Sequence, residues 1–277
     1  MLFGWIPRWM VLELIQRYES KEIYFIQNEY YEESKNNLLK KRIIWLKEFQ
    51  EFIETTKSDK HTKFKILPYK FILPIKREAK SIFHYDIKFS KYLYIQFSTF
   101  NKDVAMLVKQ TIQKEKNYKY LILDLRDNGG GNLESCIMIA KELLNKCEIL
   151  QLNYKDKITV FLSDCNYMKF ERIFIMLNGS SASCSEILSL ILKKHLDNVV
   201  LIGNYTYGKE TVQHTITNYK YKFCFSISEA KWYVEGKTVK DLHKYMKEDN
   251  ISNKKFYNTD TFIQFILDFQ QQELINK

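Results

Sequence analysis

Between Tyr92 and Ile202 short apolar runs alternate with amphipathic stretches, and that alternation leaves the chain few folds. Tyr92–Phe97 is an apolar run of strand length. Asn101 is placed to cap a helix reaching about Lys116, with Val104, Leu107, Val108 and Ile112 on one face. Residues 120–125 predict a second strand, 133–144 a second helix, and 149–162 two more strands. Arg172–Leu177 then reads as a strand, 184–195 as a helix and 199–202 as a strand. Strands separated by helices call for an α/β layer structure with a largely parallel sheet. Further strands are expected at 211–216, 222–227 and 231–234, and an apolar helix docked on the body at 261–269.

Before residue 85 the pattern is different. Residues 7–18 predict a short helix with Pro7 at its first turn, while 28–33 carry no clear pattern. Residues 33–57 predict one long amphipathic helix, with Leu39, Ile43, Leu46, Phe49 and Ile53 at spacings of three and four. A loop follows at 58–62. Residues 64–75 predict one or two strands, which Pro68 and Pro74 confine to an edge or to bends. The change of pattern divides the chain into a cap region, 1–84, and a second domain, 85–277.

Bulk composition narrows the function. The 277 residues carry a net charge of +10, but the basic residues are mostly lysines scattered among Tyr, Asn and Ile. That is a solvated surface, so no nucleic-acid partner is expected. The five cysteines are odd in number and form no CxxC pair, and the five histidines are dispersed. Neither a disulfide framework nor a metal centre is expected, and no cofactor motif is complete. The apolar start of the chain is interrupted by Pro7, Arg8 and Glu13 and makes a poor signal peptide; no run is long enough to span a bilayer. A cytoplasmic protein is the expectation, with its oligomeric state left open.

Three loops sit where strands end. The first is Asn178-Gly179-Ser180-Ser181-Ala182-Ser183-Cys184-Ser185-Glu186, between the strand at 172–177 and the helix that follows. At a helix N-terminus unpaired N–H groups and the positive dipole end favour developing negative charge. A serine there is either a nucleophile with its oxyanion provided for, or half of the capping box Ser183-x-x-Glu186. The second is Asp124-Leu125-Arg126-Asp127-Asn128-Gly129-Gly130-Gly131-Asn132, which holds three of the eight glycines. It reads as a tight turn or as a cradle of N–H groups, though neither nucleotide fingerprint is met. The third is Gly203 to Gln213, with Lys209 between Gly208 and a strand. Lys209 is either an exposed lysine or a base that takes a serine proton once burial favours its neutral form.

In this order and spacing, the three loops resemble those of the C-terminal processing peptidases, also called tail-specific proteases. The matching residues are Asp124-Leu125-Arg126-Asp127-Asn128-Gly129-Gly130-Gly131, Ser181-Ala182-Ser183-Cys184-Ser185-Glu186 and Gly208-Lys209-Glu210-Thr211-Val212-Gln213. The resemblance covers about residues 85–235. It implies a crotonase-like α/β core of the ClpP–crotonase type with an N-terminal helical and β cap. It also implies a serine endopeptidase that cleaves unstructured or C-terminal protein segments, with no metal or cofactor. Ser183 is then the nucleophile, Lys209 the base and Gln213 the residue that orients it. The oxyanion donors are Cys184 and a glycine at 130 or 131, with Gly130 preferred. Cys184 stands where the family carries a small residue, which also admits it as a nucleophile. No PDZ carboxylate-binding loop is visible in 1–84, and the family's Pro-Asp ending after the core is missing, which leaves 236–277 without a reading. The second reading is an inactive peptide-binding scaffold on the same fold.

Overall fold

The computed structural model describes residues 4–68, 83–88, 91–163 and 167–249, together with Gln264 and Ile266. The chain divides into two compact units: Met1–Lys76 with Leu152–Thr159 and Thr211–Trp232, and Arg77–Gln151 with Val160–Glu210 and Tyr233–Lys277.

The second unit is built on a five-stranded sheet. Its strands are β4 (Phe83–Lys88), β5 (Tyr92–Phe97), β6 (Tyr120–Asp124), β9 (Arg172–Leu177) and β10 (Val199–Gly203). They lie in the order β10-β9-β6-β5-β4. The first four are mutually parallel, and β4 is an antiparallel edge. The largely parallel sheet read from the sequence is therefore present. The four parallel strands are near-continuous apolar runs because both faces are covered. Alternate positions Tyr92, Tyr94, Ile122, Phe174, Met176, Val200 and Ile202 form one buried cluster, joined by Ile266. Ile266 belongs to the stretch expected as a docked helix, most of which lies outside the described residues. Helices α4 (Lys102–Lys114), α5 (Leu133–Leu143), α6 (Cys184–His195) and α7 (Val239–Glu248) pack in succession. The expected cap on α4 is present: Asn101 Oδ1 accepts from Val104 N–H at 2.8 Å. α7 was not read from the sequence. It buries Val239, Leu242 and Met246, and Asp249 just beyond it bonds Lys193 at 2.8 Å.

The first unit holds β1 (Trp5–Pro7), α1 (Arg8–Lys21), α2 (Glu29–Leu39), β2 (Ile43–Trp45), α3 (Leu46–Thr56), β3 (Lys63–Ile66), β11 (Thr211–Asn218) and nearly all of β12 (Phe223–Tyr233). Strands β7 (Cys147–Tyr154) and β8 (Ile158–Ser163) carry the chain from one unit into the other. The core is aromatic, with Tyr18, Tyr31, Phe49, Phe52, Phe64 and Phe225 buried together. The single helix expected at 33–57 is instead α2, β2 and α3. Ile43, Ile44 and Trp45 are β-branched or aromatic and pair with Pro7, Ile6 and Trp5 of β1. Ile43, assigned to the buried stripe, is exposed, while Leu46, Phe49 and Ile53 are buried as expected. The strands expected at 222–227 and 231–234 are one strand, β12. Ser228 at the apparent break is buried, and its N–H donates to the buried Glu22 carboxylate at 3.1 Å. Of the strands expected at 64–75, β3 covers the start, and residues 69–75 lie outside the described residues.

Candidate active site

Ser183 stands at the end of the turn that links β9 to α6, at φ 56° and ψ −114°. That is a backbone region glycine favours, outside the extended conformation of ordinary helix caps. For a serine it stores on the order of 1–3 kcal/mol. The strain persists because the turn is bonded on every side. Ser181 Oγ donates to Leu125 O at 2.8 Å, Ala182 N–H to Asn128 O at 3.0 Å, and Tyr207 N–H to Ser181 O at 3.0 Å. Ser185 Oγ also donates to Asn128 O, at 2.8 Å.

Glu186 is the residue that joins the loops. Its carboxylate is buried at 0% exposure. Oε2 accepts from Ser183 N–H at 2.7 Å and Lys209 N–H at 3.1 Å. Oε1 accepts from Thr206 Oγ1 and Gly208 N–H, both at 2.6 Å. Four donors on two oxygens is the acceptor-only pattern of a carboxylate. The Ser183-x-x-Glu186 pattern was legible as a capping box; its reach to the lysine loop was not. Thr206 Oγ1 also lies 2.8 Å from His243 Nε2. The one hydroxyl proton of Thr206 goes to Glu186, so His243 Nε2 carries the proton of that second bond. Burial holds the His243 pKa below its usual value, with Glu186 opposing. His243 lies in the region that sequence reasoning left without a role, and no local signal marked it.

The glycine loop packs against the serine. Asp124 is buried, bonded by Tyr94 Oη at 2.7 Å and by Arg126 Nε at 2.9 Å. Asn128, also buried, donates to Phe97 O at 2.9 Å. Gly130 has φ 97°, and a Cβ there would lie 2.8 Å from Ser183 Cβ and 3.1 Å from the Cys184 nitrogen. Only glycine fits, because any side chain would cover the first amide of α6. Gly130's own N–H donates to Asn128 Oδ1 at 2.9 Å in this conformation. The favoured glycine donor thus already has an acceptor, whereas Gly131, with φ 151°, follows directly behind it.

Ser183, Cys184, Gly130 and Lys209 come together in the second unit, with Ser183 and Lys209 half-buried. Cys184 is buried, and its Sγ lies 3.4 Å from Gly131 O. A hydrogen bond with Cys136 holds the Cys184 thiol pKa below its usual value, burial opposes this, and the Ser183 hydroxyl and the Lys209 charge add to the lowering. Tyr205 and Tyr207 are exposed, and the Tyr205 ring stacks on His243 at 5.1 Å. Gln213 belongs to the first unit, on β11 at a register shift, where its amide nitrogen donates to His61 O. Among the described residues no cluster of His, Cys, Asp and Glu is fit to hold a metal ion, and no helix is long and apolar enough to cross a membrane.

A mixed α/β protein with a serine at a strained strand-to-helix turn, helix amides beneath it and a lysine loop tied alongside has the parts of an acyl-transfer site. The family model for peptidase family S41 matches residues 91–249, more than half of the sequence, and the chain belongs to that family. A probable CtpA-like serine protease of Staphylococcus aureus (strain N315) is 29% identical over 201 residues, covering 66% of this chain and 40% of that protein. The carboxy-terminal processing protease CtpA of Bacillus subtilis (strain 168) is 32% identical over 142 residues, covering 50% of this chain and 30% of that one. The chain thus spans less than half the length of these relatives. Two solved structures share the fold. A lipoprotein from Streptococcus agalactiae aligns over 87% of this chain and 96% of its own, with a TM-score of 0.64 at 19% identity. A putative peptidase from Parabacteroides merdae aligns over 84% and 86%, with a TM-score of 0.56 at 16% identity.

Proposed function

We propose that this chain is a serine endopeptidase that cleaves unstructured or C-terminal segments of proteins through an acyl-enzyme. The observation that carries the reading is the Glu186 carboxylate, which fixes the backbones of Ser183 and Lys209 to one oxygen. Lys209 Nζ takes the Ser183 proton as Oγ attacks the scissile carbonyl. The proton then passes to the leaving amine, and water, deprotonated in turn by Lys209, hydrolyses the ester. The oxyanion is held by Cys184 N–H, first in the helix and so without an intrahelical acceptor, and by the N–H of a glycine at 130 or 131. For Gly130 to serve, its N–H must leave Asn128 Oδ1 when substrate binds.

The test is cleavage of an unfolded protein such as casein, together with labelling by a serine-directed phosphonate. Ser183→Ala is expected to abolish both without unfolding the chain, and the label is expected on the peptide that contains Ser183. Cleavage at the wild-type rate by Ser183→Ala, or a label confined to cysteine, refutes the assignment.

A further inference from the structure

Behind the serine turn two thiols meet. Cys184 is the first residue of α6, and Cys136 lies in the first turn of α5, the helix packed beside it. The Cys136 thiol points at Cys184: Sγ donates to the Cys184 carbonyl oxygen at 3.5 Å, and each thiol shifts the pKa of the other. The two sulfurs differ in character. Burial pushes the Cys136 thiol up, while its hydrogen bond, the Ser183 hydroxyl and the Lys209 charge favour the Cys184 thiolate. A cysteine at the first position of a helix beside a lysine, with a second cysteine packed against its backbone, is the arrangement of a reacting and a resolving cysteine.

We propose that Cys136 and Cys184 are an oxidative modification site, closing to a disulfide under a two-electron oxidant and disabling the Ser183 turn. With hydrogen peroxide the Cys184 thiolate attacks one oxygen, the O–O bond breaks, and the departing hydroxide takes a proton to leave as water. The Cys184 sulfenic acid so formed is attacked by the Cys136 sulfur. The S–O bond breaks, and the hydroxide leaves as water with the Cys136 proton. Two thiols and one peroxide give one disulfide and two waters. Neither thiol is open to a bulky reagent, with Cys136 at 0% and Cys184 at 2% exposure. Only a molecule as small as peroxide is expected to reach them, from the side of the half-buried Ser183 that precedes Cys184. Drawing Cys184 Sγ onto Cys136 releases the Gly131 carbonyl and moves the residue whose N–H completes the proposed oxyanion site. That consequence rests on the peptidase reading; the disulfide itself does not.

The test is peptide mapping of the full chain after hydrogen peroxide, digested without reductant at low pH. The peptides bearing Cys136 and Cys184 are expected joined, lighter by two hydrogens than their sum, and separable by dithiothreitol. Cleavage by the oxidised sample is expected to fall about tenfold or more, towards the cost of losing one oxyanion donor, and to return with dithiothreitol. In Cys136→Ala no resolving thiol remains, so Cys184 is expected to go on to a sulfinic acid that dithiothreitol does not reverse. The wild-type map stands even where that variant fails to fold. Oxidation confined to Cys147, Cys165 or Cys224, with Cys136 and Cys184 still alkylatable after denaturation, overturns the site. A linked pair with undiminished cleavage overturns its control of the serine turn. A reduced chain that never cleaves refutes the peptidase reading, and the mapping still decides the disulfide.

Discussion

The backbone N–H groups of Ser183 and Lys209 end on the same atom, Oε2 of Glu186, at 2.7 and 3.1 Å. These residues lie 26 positions apart in the sequence, on different loops. A fully buried carboxylate thus sets the register between the proposed nucleophile and base. In Glu186→Gln the amide NH₂ faces donors and accepts none, leaving buried N–H or O–H groups unmatched at about 1–3 kcal/mol each. Urea denaturation is expected to show that loss. A misplacement of about 1 Å costs on the order of 100-fold in rate. The turnover number is therefore expected to fall by that order with KM little changed, and equal turnover in Glu186→Gln would remove the carboxylate from any positioning role.

The strain at Ser183 predicts a trade of activity against stability. Glycine takes φ 56° and ψ −114° without a Cβ penalty, and alanine does not. Ser183→Gly is expected to be inactive and more stable than Ser183→Ala by about 1 kcal/mol, read from thermal or urea midpoints. Equal midpoints would mean that the turn is not held against its preference.

For Lys209 the expectation concerns charge. A base that accepts the serine proton must be neutral, so cleavage is expected to rise with pH as the lysine deprotonates. Arginine stays charged at any usable pH. Lys209→Arg is expected to be as inactive as Lys209→Ala in steady-state cleavage assays, and substantial activity in Lys209→Arg would call for another base.

Stability is expected to fall in mild acid. Burial lowers the pKa of His243, and also those of His195 and His214. The unfolded chain takes up protons at about 6.5, whereas the folded chain resists until lower pH. The unfolded state therefore binds more protons in that window, and stability rises with pH across it. The contribution is lost as pH falls below about 6.5. Glutamine at 243 keeps an N–H for Thr206 and does not titrate. Urea midpoints of His243→Gln measured from pH 7.5 to about 5 are expected to show a shallower slope than wild type. An unchanged slope would show that His243 does not contribute.

The sequence by itself determined the parts whose information is local. The strand at 172–177, the serine turn and the helix after it are set by an apolar run, small polar residues and a helical period that neighbouring residues specify. The parallel core and the Asn101 cap follow for the same reason, and the motif spacing placed the chain in its family. Tertiary structure decided what depends on residues brought from afar. Ile43–Trp45 became a strand because β1 supplied a pairing edge to residues that fit the period of a helix. β12 runs unbroken through Ser228 because Glu22, more than 200 positions away, accepts its N–H. Glu186 looked like a helix cap because the pattern shows only its near partner; folding brought Thr206, Gly208 and Lys209 to the same carboxylate. His243 and Cys136 came to the site in the same way. A hydrogen bond or thiol contact across a long loop leaves no periodicity in the chain, so only the folded arrangement reveals it.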